Sequence, residues 1–220
     1  MSLTRADLES SRLHNMILQS GLGMQLLSES QLQESIRVTL KSHKADTDVW
    51  LFAYGSLIWN PVFKFTERCV GTVYGWHRRF CLRALVGRGT PENPGLVLGL
   101  DSGGSCRGVV YRIPAAEIHS EFLLLWRREM VIGSYIPRWV KVVNRTHKII
   151  AITFIINKHH PDYAGEMSFE STVNSIATAK GELGSSAEYL MQTVKGLQTM
   201  GIEDKQLLQL QESVLARQRN

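Results

Sequence analysis

The sequence predicts an α+β protein, and three observations predict it. Short β-branched and aromatic runs separated by Gly, Pro and Asn occupy residues 49–156, a single amphipathic helix interrupts them, and helical periodicity returns after Pro161. The regular strand-helix alternation of a doubly wound sheet is missing. A length of 220 residues, with 44% apolar and 20% charged side chains, suits one globular domain carrying an appendage and excludes disorder, collagen and a long coiled coil.

In chain order, residues 1–47 are rich in Ser, Gln and Leu, and Leu32, Ile36 and Leu40 recur at helical spacing. This segment reads as a helical or partly ordered arm. Strands are predicted over 49–54, 72–76, 79–85, 96–101, 106–113, 139–143 and 148–156, where β-branched and aromatic residues run between turn formers. The inserted helix opens after Pro114, passes through Glu117, Ile118, Phe122 and Leu125 to about Met130, and is stopped by Gly133. Further helices are predicted over 169–179, 187–200 and 204–217, and the absence of a repeat or low-complexity linker leaves 48–220 as one domain.

The charge balance of +5 suits an anionic small molecule or a weak nucleic-acid patch. Arg78-Arg79-Phe80 is the only aromatic-basic interleaving, so no nucleic-acid partner is expected. Cys69, Cys81 and Cys106 are odd in number and lack C-x-x-C spacing, which argues against a disulfide framework or zinc knuckle and for a reducing cytoplasm. Asp7, Glu9, Arg12, His14 and Asn15 interrupt the N-terminal region, so no export signal is expected. The longest apolar run, 149–156, is far below the ~20 residues that span a bilayer, and no membrane partner is expected. His159-His160-Pro161-Asp162 falls on a loop without helical i, i+4 spacing, so no metal is expected there.

Two features could carry chemistry. On a helix advancing about 100° per residue, Ile118, Phe122, Leu125 and Glu129 fall within roughly 60° of one another, so Glu129 continues an apolar stripe. Desolvation and the negative end of the helix dipole would both raise its pKa and suit it to proton transfer; the alternative is a structural salt bridge with Arg127, Arg128 or Arg138. The second is Tyr54-Gly55-Ser56-Leu57 after the first strand, where a sharp turn can aim backbone N–H groups at a developing anion or can simply reverse the chain. Tyr54 takes the first glycine position of a G-x-S-x-G elbow, so Ser56 is not a predicted nucleophile. The glycine-rich 87–95 segment lacks the Lys-Ser/Thr ending of a P-loop and reads as a turn or lid. Arg78, Arg79, Arg83 and Arg88 form either a solvated face or a cluster that steers a carboxylate substrate.

Several ordered blocks carry a resemblance. Phe52-Ala53-Tyr54-Gly55-Ser56-Leu57-Ile58-Trp59-Asn60-Pro61, Gly75-Trp76-His77-Arg78-Arg79-Phe80, Arg88-Gly89-Thr90 with Pro94-Gly95, Gly108-Val109-Val110-Tyr111-Arg112 and Leu125-Trp126-Arg127-Arg128-Glu129-Met130 together resemble the ChaC family of glutathione-specific γ-glutamylcyclotransferases. His160-Pro161-Asp162-Tyr163 and Glu188-Tyr189-Leu190 extend the likeness to about residue 197, while the arm and the last helix lie outside its diagnostic part. Ala53 stands where members often have glycine, a departure that should narrow the loop only slightly.

The resemblance implies a small mixed β-barrel core in a catalytic domain over 48–220, with flanking C-terminal helices. It further implies Glu129 as the proton-shuttling carboxylate and a substrate site at Leu51, Phe52, Ala53, Tyr54, Gly55, Ser56, Leu57, Arg88 and Tyr163. The implied reaction cleaves glutathione to 5-oxoproline and cysteinylglycine, a cyclising lyase reaction that needs no metal or other cofactor because the substrate supplies its own nucleophile. Its expected partner is a small molecule, and the chain is expected to be a monomer or weak dimer. Alternatives are a cyclotransferase for other γ-glutamyl amino acids or amines, and a regulatory binding protein without catalysis. The transport role carried in the family's name finds no physical basis in these residues.

Overall fold

A computed structural model describes residues 3–145 and 147–219. Met1 and Ser2 of the predicted arm, and Thr146 and Asn220 of the predicted domain, lie outside the described residues. The arm opens with two short helices, α1 (Arg5–Glu9) and α2 (Arg12–Gln19), followed by α3 (Glu29–Leu40). Capping boxes start α1 at Thr4/Asp7 and α3 at Ser28/Gln31, each satisfying backbone donors that a helix start leaves open.

The centre is a closed barrel built from β1 (Val49–Ala53), β2 (Glu67–Ala84), β3 (Gly95–Ile113), β4 (Tyr135–Asn144) and β5 (His147–Ile156), in the order β1-β3-β2-β4-β5. All neighbours are antiparallel except β1 and β5, which meet in parallel through Trp50↔Ala151 and Leu51↔Ile152, so the barrel is mixed, as the resemblance implied. Thr153 extends that short seam: its hydroxyl donates to the Phe52 carbonyl at 3.0 Å.

Each of two predicted strand pairs proves to be one long strand. Segments 72–76 and, except for Leu85, 79–85 belong to β2, and 96–101 and 106–113 belong to β3. In β3 the intervening residues 102–105 look like a turn in sequence, but Ser102 and Ser105 ladder across the hairpin to Trp76 and Tyr74, with Gly103 and Gly104 at the register shift between those pairs. A second irregularity between Phe80 and Leu82 sets Cys81 out of register beside Leu98. Bulges of this kind re-aim neighbouring side chains.

The inserted helix α4 (Ile118–Glu129) follows a 3-10 turn at Ala115–Glu117 and lies against the barrel. Of the predicted stripe, Phe122 and Leu125 are wholly buried and Ile118 half-buried, and Trp126 beside them is wholly buried too. Phe122 stacks on Trp126 with ring centroids 5.3 Å apart, and Trp126 meets Phe154 of β5 edge-on at 5.1 Å. From α3, Leu32 and Ile36 join the same core and Ser35 accepts the Trp126 indole N–H at 2.9 Å. Burying side chains of this size is worth about 1.5–3 kcal/mol each.

Helices α5 (Phe169–Thr178), α6 (Ser186–Thr199) and α7 (Lys205–Arg219) complete the fold, with a two-residue-per-strand hairpin at Lys180–Gly181 and Gly184–Ser185 before α6. Among the described residues no helix is long and apolar enough to cross a membrane.

Candidate active site

The cradle predicted at 54–57 forms where β1 ends. Ala53 closes the strand, and Ser56–Ile58 turn as one 3-10 segment with the Ile58 N–H bonded to the Gly55 carbonyl at 2.9 Å. The N–H groups before that bond have no acceptor within the turn, the condition under which a turn start can receive a negative oxygen. Gly55 is required by close approach: a Cβ there would lie 3.1 Å from the Tyr189 hydroxyl and 3.6 Å from Leu98. The turn is backed by α6, where the Trp59 indole donates to Thr193 Oγ1 at 3.1 Å.

Glu129 occupies the last turn of α4 and borders a small chamber of about 20 Å³ together with residues 52–57 of the cradle. Its side chain is only 14% exposed. Burial raises its pKa above the ordinary carboxylate value, and Arg128 opposes the rise without cancelling it. The two readings of Glu129 are therefore both realised, a desolvated acid and a salt-bridged one. Arg128 Nε sits 3.1 Å from Glu129 Oε1, Nη2 donates to Ser56 Oγ at 2.9 Å, and Nη1 donates to the Asn60 carbonyl at 2.8 Å. One guanidinium thus ties the carboxylate to the cradle.

Three phenols complete the chamber. Tyr54 donates to the Phe154 carbonyl at 2.8 Å and Tyr135 to the Leu98 carbonyl at 2.7 Å. Burial pushes both hydroxyls well above their ordinary pKa, reinforced by neighbouring groups that include Glu129. Burial likewise lifts Tyr189 to about 12. Among the ionisable groups lining this chamber, burial drives the three phenols further from ionisation, and Glu129 is the one carboxylate.

Glu129 also borders a larger cleft of about 200 Å³, whose walls include Ser56, Arg83, Arg88 and Tyr189. Arg88 is held by the Ser185 carbonyl at 3.3 Å, by Glu188 at 3.7 Å, and over the Tyr189 ring at 5.9 Å. The predicted basic cluster divides here. Arg78 turns to Cys106 and the Arg107 carbonyl, and Arg79 pairs with Asp101, so only Arg83 and Arg88 reach the cleft.

Of the predicted substrate residues, Phe52, Ala53, Tyr54, Gly55, Ser56 and Leu57 line the inner chamber and Arg88 the outer cleft. Leu51 and Tyr163 line neither. Leu51 is wholly buried in the core, two residues before the strand end at which the chamber forms. The Tyr163 hydroxyl donates to Asp101 at 2.8 Å and accepts from Arg79 at 2.8 Å, inside a polar network beside the site. The His159-His160 loop makes backbone contacts, His160 with the Ile132 carbonyl at 2.9 Å. Among the described residues, no group of three or more His, Cys, Asp and Glu side chains could hold a metal.

Sequence reasoning missed Tyr135 and Tyr189 as walls and Arg128 as the bridge. The available signal was the adjacency of Arg128 and Glu129; nothing in sequence marks which tyrosines face Gly55.

The chain is similar in sequence and fold to known proteins. A family model described as ChaC-like protein matches residues 49–217. The glutathione-specific gamma-glutamylcyclotransferase of Escherichia coli (strain K12) is 42% identical over 190 residues, covering 86% of this chain and 82% of the relative. The glutathione-specific gamma-glutamylcyclotransferase 1 of Danio rerio is 31% identical over 177 residues, covering 77% of this chain and 90% of the relative. Among solved structures, a gamma-glutamyl cyclotransferase specific to glutathione from yeast aligns with a TM-score of 0.70 at 25% identity, over 77% of this chain and 96% of that one.

Proposed function

The chain belongs to the ChaC-like protein family, and on that premise we propose that it is a glutathione-specific γ-glutamylcyclotransferase, a lyase that converts glutathione to 5-oxoproline and cysteinylglycine. The observation that carries the reading is the Glu129 carboxylate, raised in pKa by desolvation and tied by Arg128 to a backbone cradle.

In a γ-glutamyl amide the α-nitrogen lies within reach of the γ-carbonyl carbon. A bond forms between them, closing a five-membered lactam, and the bond from that carbon to the cysteine nitrogen breaks. Holding the amine in line gives access to effective molarities of order 10⁵ M or more, so no enzyme nucleophile is needed. Glu129 accepts the proton released from the α-ammonium and later delivers one to the departing nitrogen, and each such transfer is typically worth ~10²–10⁴ in rate. Backbone donors around residues 54–57 meet the charge that develops on the γ-carbonyl oxygen, where one donor commonly contributes ~3 kcal/mol. Because the substrate brings its own nucleophile, the chemistry calls for no metal or other cofactor. Free Cys69, Cys81 and Cys106 suit a reducing cytoplasm, and the chain acts on its small substrate as a monomer or weak dimer.

The test is Glu129→Gln, which preserves shape and removes proton exchange. The variant should fold and release cysteinylglycine from glutathione at least ~10³-fold more slowly than wild type. Wild-type turnover in the variant would remove Glu129 from the mechanism, and wild-type inactivity on glutathione with turnover of γ-glutamyl-alanine would move the substrate to another γ-glutamyl compound.

A further inference from the structure

The family match begins at residue 49, yet part of the cleft bordered by Glu129 is walled by residues that precede it: Leu13 and Ile17 of α2, and Met24 beyond it. The arm is secured at several points around this cleft. Arg5 donates to buried Glu121 at 2.7 and 3.0 Å, Asn60 Nδ2 donates to the Leu3 carbonyl at 2.8 Å, and the Leu27 N–H donates to the Val131 carbonyl at 2.9 Å. Asn60 is also the residue whose carbonyl accepts from Arg128, so the arm and the Glu129 bridge share a support.

Glu129 borders both chambers, and the inner one, about 20 Å³, adjoins the cradle. Resting on the reaction proposed above, everything past the scissile amide must therefore occupy the outer cleft, which is about 200 Å³. That leaving half has one soft apolar side, the thiol-bearing methylene, and one anion, the terminal carboxylate. The arm contributes an apolar side to the cleft, Leu13, Ile17 and Met24, while the barrel hairpin contributes Leu82, Leu85 and Val86 together with the cations Arg83 and Arg88. We infer that the N-terminal arm is the specificity wall for the leaving half of the substrate, with Ile17 and Leu13 against its thiol side. The arm thereby sets how large a substituent on sulfur the enzyme accepts. Ile17 is buried by this placement although it lies on a short peripheral helix, whereas Leu18 beside it is exposed.

The experiment compares kcat/KM for glutathione and S-ethylglutathione in the full-length wild type, Ile17→Ala and Leu13→Ala. Trimming the wall opens space for the ethyl group while withdrawing contact from the free thiol. The S-ethyl to glutathione ratio should rise about tenfold or more, within the range that one or two methylenes command in an apolar pocket. Leu13 is only half-buried, so Leu13→Ala keeps the test alive if Ile17→Ala folds poorly. An arm that merely supports the fold would lower both substrates together, and a ratio unmoved in both variants while wild type turns over glutathione overturns this inference alone. A wild type inactive on both substrates overturns the proposed function and this inference with it.

Discussion

Replacing Arg128 with methionine removes the guanidinium that pairs with Glu129 at 3.1 Å while keeping a long apolar stem in a nearly closed site. Two effects act on the Glu129 pKa, burial raising it and Arg128 lowering it, and burial already prevails. Without Arg128, burial is unopposed. A hydrogen bond to a charged group is worth about 1.5–3 kcal/mol, and 1.36 kcal/mol corresponds to one pH unit, so the acid limb of the rate profile should move up by about one to two pH units. The direction follows from the role: only the carboxylate can take the α-ammonium proton, so activity at a pH on the limb falls about 10- to 100-fold and recovers as pH is raised. Arg128→Lys keeps the charge but cannot span Ser56 and Asn60, so its limb should stay near the wild-type position while KM rises. The assay is initial-rate release of cysteinylglycine across the acid and neutral range. A limb that stays put in Arg128→Met while the plateau drops would refute the electrostatic pairing and leave Arg128 as a clamp on the cradle. Stability supplies a second readout. Folding favours the protonated acid, so this stabilisation is complete below the ordinary value of 4.5 and is lost as pH rises through the raised one.

Gly55→Ala places a methyl 3.1 Å from the Tyr189 hydroxyl, forcing a shift of a few tenths of an ångström. Since a misplacement of about 1 Å can cost ~10²-fold, kcat/KM should fall about tenfold, and Tyr189→Phe in the same chain should restore part of it; steady-state kinetics of the single and double variants check this. Arg5→Ala strips buried Glu121 of two hydrogen bonds, leaving the Lys64 N–H at 3.0 Å. Breaking a buried pair costs ~3–5 kcal/mol, and solvent access to the 35%-exposed Arg5 side chain reduces the expectation to about 2 kcal/mol, or a thermal midpoint lower by about 4–8 °C. Burial alone would raise the Glu121 pKa, but Arg5 and the Lys64 N–H outweigh it and lower it. Wild-type stability from this group is therefore present above 4.5 and declines as pH falls through the lowered value, and thermal melts of Arg5→Ala should show a shallower acid decline.

The comparison of sequence with structure shows which features are local. Glu129 was legible because an acid in the stripe of Phe122 and Leu125 breaks a periodicity that itself reports burial. The Gly55 turn was legible because a strand followed by Gly-Ser must bend. The long hairpin was not, since Ser102, Gly103 and Gly104 have turn composition, yet they lie on an exposed stretch of the hairpin where no apolar face has to be maintained. Tyr163 belonged to the resembling blocks but is drawn to Asp101, whose buried charge needs every donor within reach.

From the amino-acid order alone came the class of the fold, the helix that carries Glu129 and the turn that carries Gly55, because propensity and periodicity act between residues a few positions apart. Tertiary structure alone decided that Tyr135 and Tyr189 enclose the acid, that Arg128 joins it to Ser56, and that α2 walls the outer cleft. The physical reason is that a buried face demands some partner without naming it. The partner is chosen by how the barrel closes and where the helices can then pack.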